Sequence, residues 1–400
     1  MILRYRYRIY PNKAQKTKMR AAGNTCRFLY NYFLKVNQDE YQKTKKFVWY
    51  SQMCAQLPEL KKDNPWLGET YSQVLQQSLR DLDTALRNMR KTGSGFPNFK
   101  SKYTTPISFR YQQNTRLGPG VLHLPKIGDI RIKLHRALPS ADYTGCTIME
   151  TARGWYASFV VEVAEPQLVS VPTNPVGLDV NSQFLGLSTG ELIRNPKPLK
   201  NKFIKIKNLQ RNLARKQKGS KNRQKTKTKL ARAHDQVRCQ RANHVHQVSG
   251  RIAKVHDLVC CETLKLDQMK QKSRPAAKAI ADAGWGLLFS ALEYKCQKNG
   301  NHFLKISQWL PSSKKCSACG TEKQSLSLTQ REFNCEACGL AMHRDLNAAV
   351  NIRNWGLQQW EVINQSGQEL PKAPVDVLFD ILVYSGTIDS TQMKQEAAFL

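Results

Sequence analysis

The sequence is short of acidic residues and of long apolar segments. It carries 63 Lys and Arg against 30 Asp and Glu, which gives a formal net charge of +33. An imbalance of this size is atypical of an enzyme that acts on neutral metabolites and indicates a polyanionic partner. No uncharged run is long enough to span a membrane, and residues 1–8 place arginines where a signal peptide needs an apolar core. We therefore predict a soluble, cytoplasmic, nucleoid-associated protein without a membrane partner.

The sequence also lacks the composition of a disordered basic tail or of a disulfide-rich secreted domain. Apolar residues make up 40% of the chain and aromatic residues 9%, and its 400 residues suffice for two or three domains. Of the 11 cysteines, four form the pattern described below, and an odd number remains. An odd remainder suits free thiols in a reducing compartment better than a set of disulfides.

Acidic residues are missing altogether from one stretch, 197–232, which contains fifteen Lys and Arg. Apolar residues, among them Ile204, Leu209 and Leu213, are interspersed between the charges. The stretch is either a solvated surface helix or a pair of helices that lies on phosphates. Because no opposite charges relieve the self-repulsion, the pair of helices on phosphates is favoured. The candidate phosphate contacts are Lys216, Lys218, Lys221 and Arg223.

Two Cys-x-x-Cys motifs, Cys316–Cys319 and Cys335–Cys338, are separated by fifteen residues. The two-residue gap lets both thiolates of one motif reach the same ion, and the separation is typical of a four-cysteine zinc ribbon. Chance spacing and disulfide pairing are the alternatives, and no secretory context favours disulfides. Because four thiolates close the coordination of zinc, the predicted Zn²⁺ is structural.

The first part of the chain shows a strand, a helical block and then further strands. Residues 4–10 alternate Arg with aromatic or aliphatic side chains, which predicts a half-exposed strand with a basic outer face. Helical spacing of apolar residues follows over 13–91, and short strands return over 103–165. The simplest arrangement is a small β-barrel, begun by residue 4 and completed after 103, with the helical block inserted. Pro166–Pro175 is interpreted as a linker.

Three acidic residues beyond this linker are associated with apolar segments. Asp179 lies in one strand, Glu262 ends a later strand, and Asp345 starts a helix with a small apolar face. Taken alone, such an Asp is commonly a helix N-cap. Together the carboxylates offer the hard oxygen ligands that Mg²⁺ takes, and two ions about 3.5 to 4 Å apart would support phosphodiester hydrolysis. A basic protein with this centre is interpreted as a nuclease, with Mn²⁺ as an alternative metal.

The order of these motifs resembles the TnpB family, the RNA-guided nucleases of insertion sequences that are related to type V CRISPR effectors. The resemblance extends over roughly residues 1–355 and involves the three acids, the two cysteine pairs and several short motifs. The short motifs are Arg8-Ile-Tyr-Pro11, Phe96-Pro-Asn-Phe99, Gly177-Leu-Asp179-Val180, Cys261-Glu262-Thr-Leu264 with Met269, Asp282-Ala-Gly-Trp285 and Arg344-Asp345-Leu-Asn347-Ala-Ala-Val-Asn351-Ile352.

The resemblance implies an α/β multidomain fold. It comprises an RNase H-like (RuvC) nuclease with an inserted four-cysteine zinc ribbon, and an N-terminal β-barrel wedge domain that contains an inserted helical recognition domain. The expected boundaries are 1–12 and 101–168 for the wedge domain, 13–100 for the recognition domain, 171–315 and 340–358 for the nuclease and 316–339 for the ribbon. Residues 361–400 contain six acidic residues and two lysines and are predicted to be a flexible acidic tail.

The resemblance also assigns roles to residues and implies partners. Asp179, Glu262 and Asp345 match the catalytic, magnesium-binding acids of the family, and the four cysteines match its zinc ligands. Two residues before the last acid, where many relatives carry an acid, this chain has His343. The implied partners are a guide RNA and a target DNA. Base pairing between the two strands reads the target sequence, and the protein holds the resulting heteroduplex by its shape and charge.

The family further implies that the protein itself reads a short duplex motif beside the target. Gln and Arg side chains can make bidentate contacts with base edges. Packing or contacts with phosphates are the alternative roles for such residues. The candidates for motif reading are Tyr50, Gln76, Arg110 and Tyr111.

Three other functions are compatible with parts of this pattern. A guide-directed DNA-binding repressor would keep the basic channel but would have lost an acid, and all three are present. A DNA-strand transposase also uses an acidic triad, but the chain resembles no Tyr- or DDE-based machinery. A non-enzymatic zinc-ribbon nucleic-acid-binding protein leaves the acids inside apolar strands unexplained. The sequence makes no prediction of oligomeric state.

Overall fold

The computed structural model describes residues 1–102, 105–140, 142–271, 273–327 and 330–366. The chain divides into two compact units, whose described parts are essentially Ile2–Val163 and 164–366. None of the described helices is long and apolar enough to cross a membrane. Most of the acidic tail predicted for 361–400 lies outside the described residues.

The first unit contains a seven-stranded antiparallel sheet with the order β2-β6-β7-β1-β5-β4-β3. Its strands are β1 Ile2–Tyr10, β2 Ser108–Tyr111, β3 Arg116–Gly118, β4 Val121–Leu124, β5 Gly128–Lys133, β6 Gly145–Thr151 and β7 Gly154–Glu162. The alternation predicted for 4–10 is confirmed, because Leu3, Tyr7 and Ile9 are buried while Arg8 and Tyr10 are exposed.

The sheet of the first unit is strongly curled. The Tyr111 hydroxyl on edge strand β2 donates to the carbonyl oxygen of Pro125, beside β4 near the other edge, at 3.2 Å. Within the described residues, however, no backbone pairing joins edge strands β2 and β3. In its backbone hydrogen bonding the sheet is therefore open, and the closed barrel stays a prediction.

The helical pattern over 13–91 is confirmed. It forms helices α1 (Lys13–Thr44), α2 (Tyr50–Asp63) and α3 (Ser72–Thr92), with a short 3₁₀ helix at Pro65–Glu69 between the last two. Asn12 caps α1 and exchanges hydrogen bonds with Gln15 in a capping box. These elements share an apolar core that includes Phe33, Met53 and Leu79.

The second unit is built on a five-stranded sheet with the order β10-β9-β8-β11-β12. Strands β8, β11 and β12 are parallel, and β9 runs antiparallel to both β8 and β10. The strands are β8 Pro175–Val180, β9 Phe184–Leu187, β10 Leu192–Arg194, β11 Leu258–Glu262 and β12 His302–Ile306. A separate hairpin pairs β13 (Glu332–Asn334) with β14 (Ala341–His343).

Six helices accompany these strands in the described part of the second unit. They are α4 Pro198–Ala214, α5 Lys221–Val255, α6 Leu266–Gln271, α7 Arg274–Ala283, α8 Trp285–Asn299 and α9 Arg344–Ser366. Helix α9 packs closely on the sheet because two glycines make room for it. A side chain at Gly177 of β8 would collide with the carbonyl oxygen of Ala349, and one at Gly356 of α9 would collide with the Cys260 sulfur. This packing fixes the start of α9 at the sheet.

The segment interpreted as a linker, Pro166–Pro175, is bound to the second unit. The Val169 amide donates to the Gly300 carbonyl oxygen at 2.8 Å, and His302 Nε2 lies 2.7 Å from the Val169 carbonyl oxygen. The last residue of the segment, Pro175, already begins β8. The segment thus follows the boundary between the two units, and backbone and side-chain hydrogen bonds fix its later part to the second unit.

Candidate active site and metal centre

Asp179 and Glu262 lie level with each other on neighbouring strands. Strands β8 and β11 are parallel, and Leu178 pairs with Cys261 in their register, so the next residue of each strand is one of the two acids. On its other side, Asp179 pairs with Gly186 of β9. The carboxyl ends of parallel strands are a common place for ligands. Two of the three predicted acids therefore meet at one edge of the sheet.

Asp345 joins this edge from the first turn of α9. Its carboxylate is 5% exposed and accepts a hydrogen bond of 2.5 Å from the Asn181 side-chain amide, which follows β8. A side chain at Gly186 would lie 3.0 Å from the Asp345 carbonyl oxygen, so glycine permits the close approach. The helix begins at Arg344, and Asp345 therefore lies within the first turn rather than at an N-cap.

His343 contacts the same acid. Its Nδ1 accepts a hydrogen bond of 3.2 Å from the Asp345 amide and lies 3.8 Å from Asp345 Oδ2. His343 therefore supports the start of α9.

The electrostatics show that Asp179 is affected by the other two acids. Burial is the largest cause, and together with the negative charges of Glu262 and Asp345 it raises the pKa of Asp179 to about 8. Burial also raises the pKa of Glu262, while a hydrogen bond from the Ser312 hydroxyl to its carboxylate opposes that shift. Like charges gathered in a buried place favour the binding of cations.

Donor chemistry indicates which cations the carboxylates suit. Among the described residues, the four cysteines form the one set of three or more potential ligands grouped closely enough to hold a metal ion, and their sulfurs all lie within 4.8 Å of one another. The carboxylates offer hard oxygen donors, which suit Mg²⁺ or Mn²⁺ rather than a soft metal.

The four cysteines form a compact cluster. Sulfur–sulfur distances are 3.7 Å for Cys316–Cys338 and 3.6 Å for Cys319–Cys335. A tetrahedral site with Zn–S bonds of about 2.3 Å requires sulfurs roughly 3.8 Å apart, whereas a disulfide requires about 2.05 Å. Each pair is followed by a glycine with positive φ, 78° at Gly320 and 72° at Gly339, which lets the chain turn back at the thiolates. The cluster suits zinc.

Two asparagines of α9 connect this cluster to the acid at the start of the helix. Asn347 donates to the Lys315 carbonyl oxygen at 2.7 Å and accepts from the Ser317 amide at 2.9 Å. Asn351 donates to the carbonyl oxygens of Ser312 at 2.9 Å and Lys315 at 2.7 Å. The segment that leads into the first cysteine pair is therefore held against the helix that carries Asp345.

The basic stretch forms the predicted pair of helices. Helices α4 and α5 pack through Ile206, Leu230 and Val237, while Ile204 is 75% exposed. Lys218 and Lys221 are exposed at the connection, and Lys216 is half-buried. Arg223 differs from these lysines, because its guanidinium donates to the carbonyl oxygens of Leu213 at 2.5 Å and Lys216 at 2.8 Å. It closes the turn, so its role is at least partly structural.

The four candidates for motif reading fall into different environments. Tyr50 and Gln76 line a polar cavity of about 230 Å³ together with Arg80 and several other glutamines. Arg110 forms an ion pair with Asp81. Tyr111 is 2% exposed and lies in the core, so its side chain is not available for a base contact in this structure. Two of the four are thus brought together.

Sequence reasoning missed several residues of the site. Asn181 and Ser312 orient two of the acids, Asn347 and Asn351 fix the approach to the cysteines, and Arg80 lines the polar cavity. For Asn347 and Asn351, the sequence offered one signal, which is their position two and six residues after Asp345 in the same predicted helix. The role of Ser312 depends on a contact across fifty residues of chain, for which the sequence gives no local signal.

Comparison with protein families gives three matches along the chain. A family described as a probable transposase, OrfB_IS605, matches residues 158–273, and a Cas12f1-like TNB domain matches 285–352. A family described as a helix-turn-helix domain matches 1–46, which in this structure contains a strand and one continuous helix. The second match spans the cysteine cluster and the start of α9.

Individual relatives cover most of the chain. A protein of Streptomyces pristinaespiralis named "Putative RNA-guided DNA endonuclease" is 34% identical over 88% of this chain and 89% of its own length. The "Putative RNA-guided DNA endonuclease InsQ" of Escherichia coli K12 is 30% identical over 94% of this chain and 98% of its own. A cryo-EM structure of Cas12f1 with sgRNA and target DNA aligns with a TM-score of 0.54 at 15% identity, over 85% of this chain and 82% of the other, which shows a shared α/β fold.

Proposed function

The chain belongs to the TnpB family of transposon-associated proteins related to Cas12f, and from that premise we propose that it is an RNA-guided DNA endonuclease. The observation that carries the proposal is the meeting of Asp179, Glu262 and Asp345 at one edge of the second sheet, where burial and mutual repulsion raise the pKa of Asp179 to about 8. Carboxylates gathered in this way can hold the divalent ions that support phosphodiester hydrolysis.

We assign the second unit to an RNase H-like, RuvC-type nuclease domain. The strand order β10-β9-β8-β11-β12, in which only β9 is antiparallel, supports this assignment. Asp179 and Glu262 on adjacent parallel strands and Asp345 on a following helix also agree with it. The expected boundaries remain 171–315 and 340–358, with a zinc-binding ribbon over 316–339.

The residues of the site have different proposed roles in hydrolysis. Asp179, Glu262 and Asp345 would hold two Mg²⁺ or Mn²⁺ ions, which supply activation of water and stabilisation of the leaving oxygen when bound. Asn181 and Ser312 orient the carboxylates of Asp345 and Glu262 by hydrogen bonds. Outer-shell partners of this kind tune metal affinity. The cysteine cluster would hold one structural Zn²⁺, whose coordination four thiolates complete.

Guide RNA and target DNA are the partners that the charge of +33 and the family point to. We assign 1–12 and 101–168 to a wedge domain and 13–100 to a recognition domain. The polar cavity that contains Tyr50, Gln76 and Arg80 offers amide and guanidinium groups for reading the short duplex motif. Lys216, Lys218 and Lys221 would contact phosphates at the turn between α4 and α5.

The proposal is tested on purified protein and the RNA that accompanies it. We expect co-purified RNA of a defined sequence class, and cleavage of a DNA that matches its guide in the presence of Mg²⁺. Treatment with ribonuclease should abolish that cleavage. Equal cleavage of the same target by RNA-free protein would contradict guidance, and a guide-loaded protein that binds but never cuts would favour the repressor.

A further inference from the structure

A large open cleft in the first unit lies apart from the polar cavity that contains Gln76. It has a volume of about 820 Å³ and is formed by the end of α1, the start of α2, the end of α3 and the segment that follows α3. Four aromatic side chains line it, and we call it the aromatic cleft. Their residues are Tyr41, Phe47, Trp49 and Phe96. A cavity of this size can hold one or more nucleotides.

The four rings form one connected group. Tyr41 and Phe47 are stacked, with centroids 4.7 Å apart and an interplanar angle of 18°. Phe96 lies 5.6 Å from Tyr41, and Trp49 lies 5.4 Å from Phe47. Phe47, Trp49 and Phe96 also pack against the core of the helical block, which explains part of their presence. All four rings remain only half-buried, however, so the group is open to a ligand on the cleft side.

The charges around the cleft select the kind of ligand. Its charged lining residues are Lys45, Lys46 and Arg90, and none of the described acidic residues lines it. The Lys45 ammonium lies 5.5 Å from the Tyr41 ring centroid, and the Arg90 guanidinium lies 6.0 Å from that of Trp49. This lining disfavours metal ions and basic peptides. Flat apolar faces beside cations match an unpaired nucleobase with its phosphate.

We propose that the aromatic cleft binds unpaired nucleotides of the guide RNA. A base stacks on the aromatic group while Lys45, Lys46 and Arg90 neutralise the neighbouring phosphates. Gln52 and Ser94 in the lining supply neutral hydrogen-bonding groups for a base edge or a ribose hydroxyl. The identity of the strand rests on the proposed function, because the guide RNA is the strand that such a protein carries. Stacking on aromatic side chains tolerates any base, so the cleft would not restrict the guide sequence.

The test compares strands that differ only in their bases. Full-length, zinc-loaded protein freed of co-purified RNA is titrated with a short oligouridylate and with an abasic strand of the same length and charge. Stacking should make the oligouridylate bind about 5- to 150-fold more tightly. Trp49→Leu should remove most of this preference while the affinity for the abasic strand stays nearly constant. Phe96→Leu is a second variant in case Trp49→Leu does not fold.

Control variants separate stacking from charge. Trp66→Leu changes another partly exposed tryptophan of the same unit, 41% exposed and outside the cleft, and should leave the preference intact. Lys45→Gln with Lys46→Gln should weaken binding of both strands by the same factor, because the lysines contact phosphates.

Three outcomes would overturn the proposal. The first is equal binding of oligouridylate and abasic strand by the wild-type protein. The second is an unchanged preference in folded Trp49→Leu and Phe96→Leu variants. The third is tighter, Trp49-dependent binding of an oligodeoxyuridylate, which would assign the cleft to a DNA strand. No cleavage is measured here, so a failure of the proposed nuclease function would appear in the cleavage assay and not in these titrations.

Discussion

The cysteine cluster and the three acids are the two metal sites proposed here, yet they are built differently. The four sulfurs lie within 4.8 Å of one another and come from two tight turns. The acids come from two strands and a helix that are far apart in the sequence. Their mutual repulsion adds to the effect of burial on the pKa of Asp179.

The roles proposed for the two sites, one structural and one catalytic, agree with this difference. Four thiolates at tetrahedral spacing complete the coordination of zinc and leave no place for a substrate. Three carboxylates would leave coordination positions of a bound metal open, which is the condition for it to bind a phosphate oxygen and a water. Asn347 and Asn351 hold the two sites together, because they join the segment before Cys316 to the helix of Asp345.

The largest expected effect is on the acids. Asp179→Asn, Glu262→Gln and Asp345→Asn should each lower the rate of DNA cleavage by several orders of magnitude, because each removes a metal-binding charge. Guide RNA binding, target binding and zinc content should stay close to those of the wild type. The matched control is Glu191→Gln, since Glu191 is an acid of the same unit that pairs with Arg251. Full activity of Asp345→Asn would show that Asp345 is not part of the active site.

Loss of the cysteine cluster should act on folding first. Cys316→Ser should release zinc and unfold the ribbon, since zinc binding supplies about 10–16 kcal/mol of apparent free energy in small zinc modules. Zinc per chain and thermal unfolding measure this effect, with Cys54→Ser as a control outside the cluster. Added Mg²⁺ should restore cleavage to chelated wild-type protein that keeps its zinc, but not to Cys316→Ser. A folded, zinc-free and active Cys316→Ser variant would contradict the structural role.

The connection between the sites gives a smaller effect. Asn351→Leu removes the side-chain donor to the Ser312 carbonyl oxygen and one of the two side-chain donors to the Lys315 carbonyl oxygen, which should cost about 1–3 kcal/mol of unfolding free energy. Cleavage should fall more than DNA binding does, because Ser312 also donates to Glu262. Gln358→Ala, an exposed change on the same helix, serves as the control. Equal stability of both variants would show that the asparagine does not hold the segment.

The smallest effects are expected at the basic turn. Replacing Lys216, Lys218 and Lys221 by Gln should weaken binding of matched and mismatched targets alike. The slope of log affinity against log salt should flatten by up to about 0.7 to 0.9 for each lost phosphate contact. Arg223→Gln should instead mainly loosen the turn, because its guanidinium bonds two carbonyl oxygens there. An unchanged salt slope in the lysine variant would identify the run as a solvated surface.

The sequence predicted those features that depend on spacing and periodicity. Two cysteine pairs, an acid within one strand, an acid at the end of another and an acid beside a small apolar face were all recognisable locally. Tyr111 shows how the same periodicity can be overlooked. It lies two residues after Phe109 in β2, and alternation places both on the buried face, opposite Arg110.

Contacts across long stretches of chain could not be predicted in the same way. The binding of Pro166–Pro175 to the second unit depends on Gly300 and His302, more than a hundred residues later. Ser312 and Asn181 reach their acids only after the sheet and α9 have formed. Such hydrogen bonds leave no periodic pattern in the sequence. A polar loop residue that forms a long-range hydrogen bond cannot be distinguished in the sequence from one that is simply solvated.

Exchange of the guide segment tests the central claim most directly. The co-purified RNA is rewritten in its guide portion, loaded onto wild-type protein and onto Asp345→Asn, and offered a mixture of old and new target DNAs with Mg²⁺. The account predicts that the wild-type protein cuts only the DNA matching the new guide, while Asp345→Asn binds that DNA and leaves it intact. Cleavage that stays at the old target, or that persists in Asp345→Asn, would contradict it.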